Sequence, residues 1–206
     1  MERNTFNLFI EHDKKEFVPP CPFNGDEFQQ LHRDSLARVD LLDIGQLIYN
    51  PRKSRDEMLV TIINNAIKPF IHKLDNDKKK RYLISSLLEE LKVLIAHRAS
   101  YDGDAEVLKW ASPIPDHQCL SNVINANHPE LIDYIVSSQR AIKDAFKLAG
   151  AEYSSFVTHK DLVDAIAHCD EQTVIKLIDL CNDYIKEDLI DMATFMSKSQ
   201  VVAHLK

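Results

Sequence analysis

Apolar residues recur in one arrangement three times along the C-terminal half of this chain. Leu120, Val123 and Ile124 are followed by Ile132, Ile135 and Val136. Leu162, Ala165 and Ile166 are followed by Val174, Leu177 and Ile178. Leu189, Met192 and Ala193 are followed by Val201 and Leu205. The leading leucines stand 42 and 27 positions apart, with no gap inside any unit. Steps of three and four put each set on one side of a helix. The interruption between sets predicts two helices per unit. A helix pair with a single apolar side cannot bury it alone, so the units are expected to stack. Gln139–Leu148 reads as one extra helix inserted after the first unit, ended by Gly150.

Upstream, Asp26–Tyr49 predicts one or two helices, with Asp34 or Ser35 available to cap a second start before Asn50-Pro51. Ser54 and Glu57 form a capping-box pattern ahead of a long stripe running from Met58 to Leu74, with a break expected at Pro69. Asp75-Asn76-Asp77 opens the next helix, whose core face is Leu83, Leu87, Leu88, Leu91, Leu94 and Ile95. A turn is expected over Ala99–Asp104, then a short helix near Glu106–Ala111. The prolines of Phe17–Phe23 predict an extended strap pinned by the two phenylalanines. Ser112-Pro113-Ile114-Pro115 is the expected seam between an N-terminal helical region, 1–112, and a repeat region, 113–206. The fold expected is all-α.

Composition narrows the function classes. Only four of 206 residues are glycine, which favours helices joined by short links over sheet-rich folds. The net charge of −7 argues against a protein that grips nucleic acid through phosphates. The acidic excess lies mainly downstream: residues 119–206 hold 8 basic and 13 acidic groups. Neither a secretory leader nor an apolar run near the ~20 residues of a membrane span is expected. Cys21, Cys119, Cys169 and Cys181 are widely separated and form no Cys-x-x-Cys pair, so they read as reduced thiols of a cytoplasmic protein.

The second unit resembles a degenerate ankyrin repeat. Leu162 and Ala165 match that family's first helix, Asp170 its link, and Val174, Leu177 and Ile178 its second helix. Cys169 stands where glycine is usual, Asn127 supplies a left-handed substitute in the first unit, and Met196-Ser197 departs most. Gly103-Asp104 and Leu108 hint at a fourth unit. The family's Thr-Pro-Leu-His opening is absent. The resemblance implies a stack that binds a protein partner without catalysis and without a cofactor. Irregular arrays beside a helical region also resemble effectors that intracellular bacteria deliver into a host cell. The first helix of each unit gives the core its leucine and the residues three and four later, so the positions two and six after the leucine are expected to be less buried. In that family these inner helices line the concave surface. Here those positions include Asn122, Asp164, His168, Asp191 and Phe195, with Phe195 the sharpest candidate anchor.

Catalytic and metal readings are weaker. Glu11-His12-Asp13 is similar to the His-Asp pair of metal phosphohydrolases, but His32, His72 and His97 stand in no second motif, and the triplet reads as a charged turn. His168-Cys169-Asp170 is no dyad, because helix neighbours point ~100° apart. Cys169, Cys181 and His168 lack a zinc spacing. Lys78-Lys79-Lys80-Arg81 reads as a solvated face. The alternative to an adaptor is a helical effector enzyme with its active site in the N-terminal region. A third reading is a homo-oligomeric structural protein built through the open C-terminal helix.

Overall fold

A computed structural model describes residues 22–39, 54–150 and 156–206. Within them lie ten α-helices, one 3-10 turn and no strand. The chain divides into two compact units, the first ending at Val93 and the second beginning at Leu94.

In the first unit, α1 (Gly25–Val39) packs on α2 (Arg55–Ile67). The cap expected at Asp34 or Ser35 is absent. Leu31, Ser35 and Val39 are buried at four-residue intervals on one face of a continuous helix. Ser35 is thus a small core residue, and its hydroxyl has no partner among the described residues. The box ahead of α2 is formed in full. Ser54 Oγ accepts the Glu57 amide at 3.2 Å, and the Ser54 amide donates to the Glu57 carboxylate at 3.0 Å. Pro69 ends α2, and the chain tightens into a 3-10 turn over Lys68–Lys73. α3 (Asp77–Asp102) follows, with the Asn76 side chain accepting from the Lys79 amide. Phe23 is buried against Phe28 and within ring contact of Tyr82. Phe17, Glu11-His12-Asp13 and Asn50-Pro51 lie outside the described residues.

The second unit comprises the end of α3, α4 (Ala105–Ala111), α5 (His117–Ala126), α6 (Pro129–Leu148), α7 (His159–His168), α8 (Glu171–Ile178), α9 (Lys186–Phe195) and α10 (Ser199–Leu205). α5 packs with α6, α7 with α8, and α9 with α10, making three hairpins. α5 also packs on α7 and α7 on α9, while α6 packs on α8 and α8 on α10. Two parallel rows result. Leu120, Leu162 and Leu189 are fully buried between them. The seam expected at Ser112–Pro115 lies within this unit, where the Tyr134 hydroxyl donates to the Ser112 and Pro113 carbonyls at 3.0 Å.

Two expectations are corrected here. The stretch Gln139–Leu148 is no separate helix but the second half of α6. The Ser137 and Ser138 hydroxyls donate to the Asp133 and Ile135 carbonyls, so the chain stays helical up to Gln139 and beyond. The turn expected from Ala99 is shorter, because α3 runs on to Asp102 with Ala99 and Ser100 buried.

The links between helices share a closure. Gly103, Asn127 and Ser197 adopt φ of 78°, 56° and 58°. The next amide in each case reaches back five residues: Asp104 to Ala99, His128 to Val123 and Lys198 to Ala193, at 2.9, 3.1 and 2.8 Å. This left-handed closure satisfies carbonyls that a helix end otherwise strands. Cys169 differs, with extended backbone, and Asp170 caps α8 instead.

Candidate functional site

The residues singled out by their repeat position fall on α5, α7 and α9, which form one of the two rows. Phe195 is 82% exposed at the end of α9, and Met196 beside it is also exposed. Asp191 and His168 are exposed, and Asp164 is half-buried. Residues four apart share a side of a helix, so Asp164 goes with His168 and Asp191 with Phe195. Asn122 is engaged inside the fold. Its amide donates to the His97 carbonyl at 2.9 Å and to Ser100 Oγ at 3.2 Å, while its oxygen accepts from Gln118. It ties α5 to the end of α3.

Histidine–carboxylate pairs join the starts of α5, α7 and α9. His117 at the start of α5 bonds Asp161 of α7 at 2.7 Å. His159 at the start of α7 stands 3.8 Å from Asp188 of α9. Each histidine lies three residues before its leucine, and each aspartate lies one residue before the next leucine. Asp161 is buried, and its carboxylate also accepts from the Thr158 amide and hydroxyl and from Ser121 Oγ. Burying this charge is tolerable only because each oxygen is met by donors.

At the junction of α3 and α5, His97, Asp116 and Cys119 converge. Asp116 caps α5, its Oδ1 accepting the Cys119 amide at 3.0 Å. Its Oδ2 lies 2.7 Å from His97 Nε2. Partial burial pushes the Asp116 carboxyl up, but hydrogen bonds from His97 and Cys119 outweigh it and hold the group below its ordinary value. Burial, with the Asp116 charge beside it, pushes the Cys119 thiol up to about 12. A thiol so raised carries negligible thiolate at neutral pH. His97 meets the carboxylate on the side away from the cap. The arrangement is therefore not an activated nucleophile. The ligand atoms of His97, Asp116 and Cys119 lie within 4.8 Å of one another. The spacing of Cys169, Cys181 and His168 along the sequence gives no sign of this set. Its members come from separate helices, and Asp116-x-x-Cys119 looks only like a helix start.

The other candidate chemistry has structural partners. Cys169 is buried at its link, and burial followed by the Asp170 charge pushes its thiol up to about 11. Within the basic run, Lys79 pairs with Asp75 at 3.2 Å and lies over the Phe23 ring, while Lys78 and Arg81 are exposed. Among the described residues no helix is long and apolar enough to cross a membrane. No protein-family model, curated protein or solved structure matches the chain.

Proposed function

We propose that this chain is a non-catalytic adaptor or regulator, an N-terminal helical bundle joined to an irregular ankyrin-like stack that binds a protein partner through its inner helices. The observation that carries the reading is the Phe195 ring, 82% exposed on α9 while Leu189 and Ala193 of the same helix are fully buried. A large aromatic left in water while its helix is well packed is the kind of group that anchors an interface. Asp191 stands four residues before Phe195 on the same side of α9, and Asp164 holds the repeat-equivalent position on α7, which gives the row an acidic character. The partner that fits is a protein segment with an apolar side chain flanked by lysine or arginine. Its encounter weakens as salt rises. The free buried thiols Cys119, Cys169 and Cys181 support a reducing, cytoplasm-like setting, with delivery into a host cell as the extension of that reading.

The test is affinity capture with the wild-type chain beside Phe195→Ala, Asp164→Lys and, on α6, Lys147→Ala. The expected outcome is a partner held by wild type and Lys147→Ala, and lost at least ~10-fold with either inner-row variant, circular dichroism being unchanged. Retention of every partner by both inner-row variants overturns the surface assignment.

A further inference from the structure

We propose that His97, Asp116 and Cys119 form a site for one borderline-soft divalent metal ion of the zinc class, clamping the end of α3 to the start of α5. The site is independent of the docking reading above. Three donors of nitrogen, oxygen and sulfur meet from two helices with their ligand atoms inside 4.8 Å. Tetrahedral zinc bound at ~2.0–2.3 Å separates its ligand atoms by roughly 3.3–3.7 Å. The His97–Asp116 pair, now at 2.7 Å, needs to open by less than one bond length, and the sulfur, within 4.8 Å of both, has at most about 1.5 Å to close.

The cap and the metal do not compete for one atom. Asp116 Oδ1 keeps the Cys119 amide while Oδ2, which faces His97, is the ligand oxygen. The imidazole proton moves to Nδ1 so that Nε2 is free to bind, and the thiol proton leaves to solvent. The carboxylate and thiolate then neutralise the ion's two charges, which offsets the unfavourable positive end of α5. Ser100 and Asn122 hold the backbone behind the imidazole. The Ser100 hydroxyl donates to the His97 carbonyl at 2.7 Å, and Asn122 donates to both that carbonyl and the Ser100 oxygen. Cys119 is buried while Asp116 is exposed, so the site has one side in the core and one side within reach of water. A sulfur and a nitrogen donor select zinc or cobalt over magnesium or calcium.

The experiment titrates cobalt(II) into the full chain after chelator treatment, then competes with zinc(II). The expected result is one equivalent bound, with a near-ultraviolet thiolate-to-cobalt charge-transfer band that zinc bleaches and magnesium does not. Cys119→Ser is expected to abolish the band and Cys181→Ser to leave it. His97→Gln and Asp116→Asn are expected to weaken binding at least ~10-fold. Asparagine retains the helix cap, so Asp116→Asn separates metal loss from misfolding. Absence of the band at one equivalent, its survival in Cys119→Ser, or unchanged affinity in both His97→Gln and Asp116→Asn overturns the site.

Discussion

Single side chains settle helix starts in this chain, and Asp170 shows how. Its carboxylate accepts the Thr173 amide at 3.0 Å and the Thr173 hydroxyl at 2.7 Å. These bonds, the Thr173 amide first, hold its carboxyl below the ordinary value of 3.8 in spite of partial burial. A group depressed in the folded state stabilises the fold above its unfolded pKa, and the contribution fades as pH falls through the folded value. Asp170→Ala is expected to cost about 1 kcal/mol in urea unfolding at neutral pH, and Asp170→Asn less. The difference between wild type and Asp170→Asn should shrink as pH drops below about 4 and vanish once the wild-type carboxylate is protonated. A constant difference down to pH 2 would sink this account. At the same scale, Asn122 was legible only as a polar position between core residues; that its amide is spent on His97 and Ser100 depended on where α3 ends.

At the scale of elements, helix existence was readable and helix ends only in part. The Ser54–Glu57 box and the Pro69 break are local chemistry, so a short window contained them. The run of α6 through Ser137 and Ser138 was hidden, because serine serves helix ends and helix interiors alike and only the route of its hydroxyl bond separates the two. The left-handed closures make opposite predictions at two equivalent links. Ser197 carries a Cβ at φ 58°, so Ser197→Gly should relieve strain and raise stability by up to about 1 kcal/mol. Gly103 sits at φ 78°, and a Cβ there would lie 2.5 Å from His128 Cε1. Gly103→Ala should therefore destabilise by more than about 1 kcal/mol and dislodge the His128 ring from the Tyr101 carbonyl it bonds at 3.1 Å. Thermal or urea melts of the two variants check the signs, and equal signs would refute the shared closure.

Across the second unit, cohesion comes from rows rather than from any one hairpin. α7 touches α5, α8 and α9, so Leu162 lies where three hairpins share apolar surface. Leu162→Ala is expected to cost roughly 2–5 kcal/mol, as cavity formation in a packed core does. The loss should appear as faster hydrogen exchange in α5 and α9 as well as in α7, because neighbours in a stack lend one another stability. Faster exchange confined to α7 would mean that the hairpins fold independently. The His117–Asp161 bond adds a directional tie to the same row, since the buried carboxylate has one seat in which all its oxygens are met.

The periodic stripes alone determined that this chain is helical and that its C-terminal half is built of paired helices. Burial of an apolar side is dictated by spacing within a few turns. The short-range caps were equally local. Which helix lies beside which was decided by packing, as were the continuity of α6 and the unit change within α3. The meeting of His97 with Asp116 and Cys119 had the same origin: it joins residues whose distance along the chain bears no relation to their distance in space, and only the packing of α5 on the end of α3 brings their atoms within reach.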